Sequence, residues 1–381
     1  MSVTISQHPS AISFAGNPVL LMASSNLSGK TFLKVCAEVT IKVQRSSSPS
    51  YSETLTRRLS IPTNGDNQKV TFDLSDLLLS ALSQIRIERS EAMAGNDVIA
   101  TSGGNVKYTV KLWDEYLDEY SEVMSTEHSG SVTSEEKIAI PGAYAEMERL
   151  LEAEDTASVL GSAKILSHKP DFEAVPVGGK LVVPTFSDAS GGFSVCVDKV
   201  SQADWQDTYN VYANEVSWKR LKMTDKVAPG LHSLLWVGEK VPPFFFHIIP
   251  NQPFATYFEF VNRYGAVESI YTYGRRQFKP TVKQERQVRN WNRTFRPDAR
   301  YVKRTLQEES RFTMSTGPVS REWAEWFVSE FFVAETAWMY SEKAGDMIPV
   351  VIECEDDLEV FNESEAEVLD LQFTVTLCVN G

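Results

Sequence analysis

Hydrophobic and polar residues alternate over 33–43, where Leu33, Val35, Ala37, Val39, Ile41 and Val43 are interleaved with Lys34, Cys36, Glu38, Thr40 and Lys42. A period of two puts the two sets on opposite faces, so the stretch predicts a half-buried antiparallel strand. Val70, Phe72 and Leu74 repeat the pattern, as do Val106, Tyr108, Val110 and Leu112. Turn-forming clusters lie between them at 46–50, 64–67 and 102–105. A short helix is expected over 75–84, opened by Asp73 or Ser75. Short strands with regular turn punctuation predict a β-sandwich domain over 1–125.

Past that point the pattern changes. Residues 126–165 read as an acidic linker with a short helix, because Tyr144, Met147, Leu150 and Leu151 share one helical face after Pro141-Gly142. Residues 166–280 return to short apolar runs and form a second β-rich domain, with Gly178-Gly179 and Gly191-Gly192 read as turns. Its clearest hairpin runs from Tyr257 to Tyr273 around Asn262-Arg263-Tyr264-Gly265, where Asn opens and Gly closes the turn. Residues 281–381 mix types. Trp323, Trp326, Phe327, Glu330 and Phe331 make a helical stripe behind Ser320 as N-cap, and the stripe is expected to pack on a sheet. Leu371, Phe373, Val375, Leu377 and Val379 mark a terminal strand. The fold class expected is therefore mainly β: antiparallel β-sandwich modules followed by a smaller α+β C-terminal domain.

Composition narrows the classes. Of 381 residues 42% are hydrophobic, which excludes a wholly disordered chain. A charge of −14 argues against a protein that coats nucleic acid or anionic membrane. The charge is also segregated. Residues 114–155 hold thirteen acids, and 275–311 hold twelve bases against four acids. Residues 345–381 hold ten acids and no base. The basic block carries Arg275, Arg276, Arg289, Arg293, Arg296 and Arg300, with Trp291, Phe295 and Tyr301 between them. Interleaved arginine and aromatic residues suit single-stranded nucleic acid, yet the acidic total favours pairing with an acidic protein surface, in the same subunit or the next. Those six arginines are the candidate interaction residues.

Catalytic motifs are missing from the sequence. The five histidines are scattered, and neither HExxH, GxxxxGK[ST] nor GxSxG occurs. The glycine pairs lack the strand–GxGxxG–helix setting of a dinucleotide site. Cys36, Cys196, Cys354 and Cys378 have no zinc-ribbon spacing and read as buried or half-buried free thiols, with a Cys354–Cys378 disulfide the alternative in an oxidising compartment. No cofactor and no metal is expected. Residues 1–9 show no secretory signal, and no apolar run approaches the ~20 residues of a membrane helix. Synthesis in the cytoplasm is expected, with no membrane partner. Trp113, Trp205, Trp218, Trp236 and Trp291 leave a glycan-binding platform open as an alternative, if they lie exposed together.

Three stretches carry a resemblance. The hairpin 257–274, the opening Ile12-Ser13-Phe14-Ala15-Gly16-Asn17-Pro18-Val19-Leu20, and the ending (aromatic helix at 320–332, Ile348-Pro349-Val350-Val351-Ile352, acidic linker, final strand) resemble virion proteins encoded by phages and prophages of gut Bacteroides-type bacteria. The likeness is one of pattern and order, weakest over about 115–240. It implies a non-enzymatic tail- or baseplate-associated structural protein, a homo-oligomer or a partner of other virion proteins, located in the virion tail. It transfers no functional site residue by residue.

Overall fold

The computed structural model describes residues 2–43, 53–82, 98–100, 105–117, 131–142, 164–187, 191–199, 205–211, 215–223, 225–237, 242–279, 281–288, 301–354 and 368–378. The chain is mainly β, with several antiparallel sheets. In the first sandwich the alternating stretch is the strand Thr31–Val43, paired antiparallel with Glu53–Pro62 on one side and Val106–Leu117 on the other. Its apolar face buries Val35, Ala37, Val39, Ile41 and Val43 against a three-stranded sheet of Val3–Gln7, Leu20–Ser25 and Lys69–Asp73. Each buried valine or isoleucine contributes roughly 1.5–3 kcal/mol by leaving water. The helix is Ser75–Leu82, and Leu78, Ala81 and Leu82 close the same core. Asp73 Oδ1 accepts from the Ser75 N–H at 3.0 Å and the Val19 N–H at 3.2 Å, so one carboxylate ties the helix start to a neighbouring strand. The helix expected over 144–151 lies outside the described residues.

A second pair of sheets follows. Lys164–Ile165, Leu181–Ser187, Glu215–Leu221 and Val98–Ala100 form one; Glu173–Pro176, Phe244–Ile249, Gly230–Val237, Gly191–Val197 and Gln206–Val211 form the other. Val175, Val183, Val195, Leu221, Trp236 and Phe246 share the core between them. Two sequence expectations meet different outcomes here. Gly178 does occupy a turn, with φ +79°, and the Gly179 N–H returns to Pro176 O at 2.8 Å. Gly191 and Gly192, by contrast, are strand residues paired with Val211 and Asn210. Extended backbone accepts glycine readily, so a glycine pair alone does not separate turn from strand.

The third body is a seven-stranded sheet in the order Val267–Thr272, Thr256–Val261, Ala337–Ser341, Asp346–Glu353, Gln372–Leu377, Arg311–Ser315, Gln277–Phe278. It draws strands from both sides of residue 280, so helix and sheet at the C-terminal end are not set apart from the hairpin that precedes them. Ser320 caps the helix Arg321–Trp326, its Oγ accepting from the Trp323 N–H at 3.3 Å. The helix then widens into a π turn, Phe327–Phe331, closed by the Phe332 N–H on Phe327 O. The wider turn accommodates Phe327, Phe331 and Phe332 around Phe373, with ring centroids 5.5, 6.0 and 5.9 Å away, while Glu330 points elsewhere.

The strands Thr281–Val288 and Tyr301–Glu309 form an antiparallel ribbon that is a sheet of its own. At its base the Lys279 N–H donates to Arg311 O at 2.7 Å. Cys36 and Cys196 are buried, whereas Cys354 and Cys378 are exposed rather than half-buried, and all four are free. Among the described residues no helix is long and apolar enough to cross a membrane.

Candidate functional site

The hairpin Thr256–Val261/Val267–Thr272 is where the three bodies meet. Its turn follows from sequence: Gly265 has φ +71° and its N–H donates to Asn262 O at 2.9 Å. The rest of the turn is tertiary. Asn262 Oδ1 accepts from the Tyr264 and Ala266 N–H groups, both at 3.1 Å. Its Nδ2 donates to Leu166 O at 2.7 Å and Glu268 Oε2 at 3.1 Å, which uses both donors and both acceptor sites of the amide. Arg263 forms an ion pair with Glu330 on the π turn. Tyr264 bonds His168 and packs on Phe14 of the first sandwich, ring centroids 5.7 Å apart. A Cβ on Gly142 would stand 2.3 Å from Arg263 O, so the first sandwich touches the turn backbone directly.

Below the turn lies a buried charged framework. Lys169 Nζ donates to Glu173 Oε2 at 2.8 Å and to Ser269 O, and sits 5.1 Å from the Trp326 ring centroid. Glu268 also accepts from Ser167 Oγ. Burial pushes the carboxyls of Glu173, Glu268 and Glu330 above the ordinary glutamate range. Arg220 meets Glu259 in a two-pronged pair, Nη2 to Oε2 at 2.7 Å, with both side chains at most 5% exposed. Tyr257 Oη donates to Glu259 Oε1 at 2.7 Å, and burial together with that carboxylate holds the phenol protonated.

Arg220 and Tyr257 of this framework line a cleft of about 400 Å³. It is lined by the 176–180 turn with Lys180, by Lys222 and Arg276, and by Tyr340, Glu342 and Asp346 around the turn between Ala337–Ser341 and Asp346–Glu353. Tyr257 and Tyr271 line the base. Tyr271 Oη accepts from the Lys180 N–H at 2.7 Å, and a Cβ on Gly179 would come 2.7 Å from that same oxygen. Glycine at 179 therefore lets the wall close onto the floor. Among the described residues, Lys180, Lys222, Arg276, Glu342 and Asp346 are in no ion pair, so charges of both signs face the cleft rather than each other.

Of the six candidate arginines, Arg276 lines this cleft, and Arg275 lies 5.7 Å from the Phe254 ring centroid. Arg289, Arg293, Arg296 and Arg300 lie outside the described residues, as do Trp291 and Phe295. The tryptophan platform does not form from its described members: Trp113, Trp205, Trp218 and Trp236 are all buried. Lys180, Lys222, Tyr257, Tyr340, Glu342 and Asp346 were not legible as a group. They come from four separate segments, and only Gly178-Gly179, a turn signal, hinted at one wall. Among the described residues no group of three or more His, Cys, Asp or Glu side chains is arranged to hold a metal.

No protein-family model matches the chain, and no curated protein does. Among solved structures it aligns with CBD12 from CALX1.2 at 10% identity, over 62% of this chain and 80% of that one, with a TM-score of 0.20. A marsupial T cell receptor aligns at 9% identity over 83% and 96%, TM-score 0.20. Trypsin-activated alpha-2-macroglobulin from Escherichia coli aligns at 10% identity over 97% of this chain and 21% of that one, TM-score 0.20. Likenesses at this level decide neither fold nor function.

Proposed function

We propose that this chain is a non-enzymatic structural protein that works through protein–protein contact, as a component of a phage-type tail or baseplate. The observation that carries the contact reading is the ribbon of Thr281–Val288 and Tyr301–Glu309. Among the described residues these two strands pair only with each other, and a two-stranded ribbon alone is marginally stable in water. The ribbon also springs from an apolar edge. Phe278, on the outermost strand of the seven-stranded sheet, is 57% exposed and packs on Phe312, ring centroids 5.2 Å apart. In this reading the α+β C-terminal end is the assembly module and the two β-sandwich modules are its support. The tail assignment itself rests on the resemblance of the hairpin, opening and ending. Mass spectrometry and cryo-EM of purified phage particles that encode the protein test it: the chain is expected in the tail, and intact tails without it contradict the assignment.

A second reading, a carbohydrate- or cell-surface-binding protein, is favoured by one observation, the tyrosine-lined cleft with unpaired charges.

A further inference from the structure

The geometry points to the cleft between the 176–180 turn and the 341–346 turn as a binding site for a saccharide that carries a carboxylate. This rests on the second reading above and is independent of the assembly reading. The argument starts from size. A cavity of about 400 Å³ lies at the small end of ligand pockets and suits one or two sugar rings, not a macromolecular surface.

Charge comes next. Lys180, Lys222 and Arg276 bring three cations to the cleft lining, and none of them is in an ion pair among the described residues. A carboxylate is their simplest complement, and Arg276 adds the planar fork that binds it through two parallel bonds. A ligand dense in negative charge fits worse, because Glu342 and Asp346 also line the cleft. Carboxylates accept hydrogen bonds from hydroxyl groups, which a sugar ring supplies in number and a plain anion does not. Tyr340, 41% exposed, and the half-buried Tyr257 offer ring faces for the apolar C–H side of a sugar.

Rigidity is the last element. Tyr257 is pinned by Glu259, Glu259 by buried Arg220, and Tyr271 by the Lys180 backbone. The floor is therefore set before a ligand arrives, which lowers the ordering cost of binding. The exposed ends of Lys222 and Arg276 are left to adapt.

Calorimetric titration of the full chain tests this with matched pairs that differ by one carboxylate: cellobiouronic acid against cellobiose, and digalacturonate against galactobiose, with inorganic phosphate as the plain anion. At least one acidic sugar is expected to bind about 10-fold or more tighter than its neutral partner. Arg276→Ala and Lys180→Ala should each weaken that binding about 10-fold, and Glu342→Gln should weaken it while phosphate stays weak. Lys69→Ala, on the first sandwich, should leave it unchanged, and circular dichroism verifies that every variant folds. Equal binding of acidic and neutral sugars, binding of phosphate as tight as the sugars, or no binding of any acidic sugar at about 10 mM overturns the proposal. None of these outcomes bears on whether the chain assembles.

Discussion

Two hairpins stand a few residues apart in this chain and are held in opposite ways. The first, Thr256–Val261 with Val267–Thr272, has its turn tied into the rest of the chain: Asn262 makes four hydrogen bonds, Arg263 pairs with Glu330 and Tyr264 bonds His168. It sits in the seven-stranded sheet between the aromatic helix and the second pair of sheets. The second hairpin, Thr281–Val288 with Tyr301–Glu309, is a two-stranded sheet by itself. Both are antiparallel strand pairs, so secondary structure does not distinguish them. What differs is whether the fold completes them. The first continues into a seven-stranded sheet; the second, among the described residues, pairs only with itself.

That contrast has graded consequences. The largest effect should come from Glu259→Ala, which strands Arg220 in a site where both partners are at most 5% exposed. Breaking a buried pair from one side costs about 3–5 kcal/mol, and chemical denaturation measures it. A loss under about 1 kcal/mol would mean that water reaches Arg220. Next is Gly265→Ala. The position has φ +71°, and the new Cβ would stand 2.5 Å from Pro141 Cβ. Left-handed backbone alone costs an L-residue about 1–2 kcal/mol, and the contact with Pro141 adds to it. A variant as stable as the parent would show that the turn is not clamped.

A smaller effect is expected from pH. Burial raises the folded-state carboxyls of Glu173, Glu268 and Glu330 above their ordinary value of 4.5. Above 4.5 the folded protein holds protons that the unfolded chain has released, so these groups make stability fall as pH climbs through their raised values. Glu115, Glu136 and Asp198 are held low and lose their contribution below that window. Glu268→Gln removes one of the three raised groups, so its Tm should fall less steeply as pH rises above 4.5. Identical slopes would remove the titrating role.

Local rules carried much of the fold. The alternation at 33–43 and 371–377, the Asn–Gly turn at 262–265, the Ser320 cap and the aromatic stripe all depend on neighbours within one strand or helical turn, and each stands where the pattern put it. What the pattern could not carry was long-range pairing. Phe258 pairs with Met339, and Ser217 with Ala100, contacts that no local period encodes. For the same reason the π turn and the meeting of Lys180, Arg276 and Glu342 around one cleft were invisible, since each depends on segments that are remote in sequence. The charge segregation was legible in the sequence; of its arginines Arg276 lines the cleft and Arg275 lies near Phe254, and the other four candidates lie outside the described residues.

The difference between the two hairpins is tested most directly by removing the second. Because Lys279 N–H and Arg311 O are hydrogen bonded at 2.7 Å, replacing residues 281–309 with Asn-Gly closes the gap without disturbing the sheet below. Sedimentation at low and high salt, alongside a thermal melt, reads both sides of the claim. The parent chain is expected to self-associate at low salt or to co-sediment with purified tails. The shortened chain should keep its Tm and lose that association. A shortened chain that unfolds, or one that still assembles like the parent, would contradict the account.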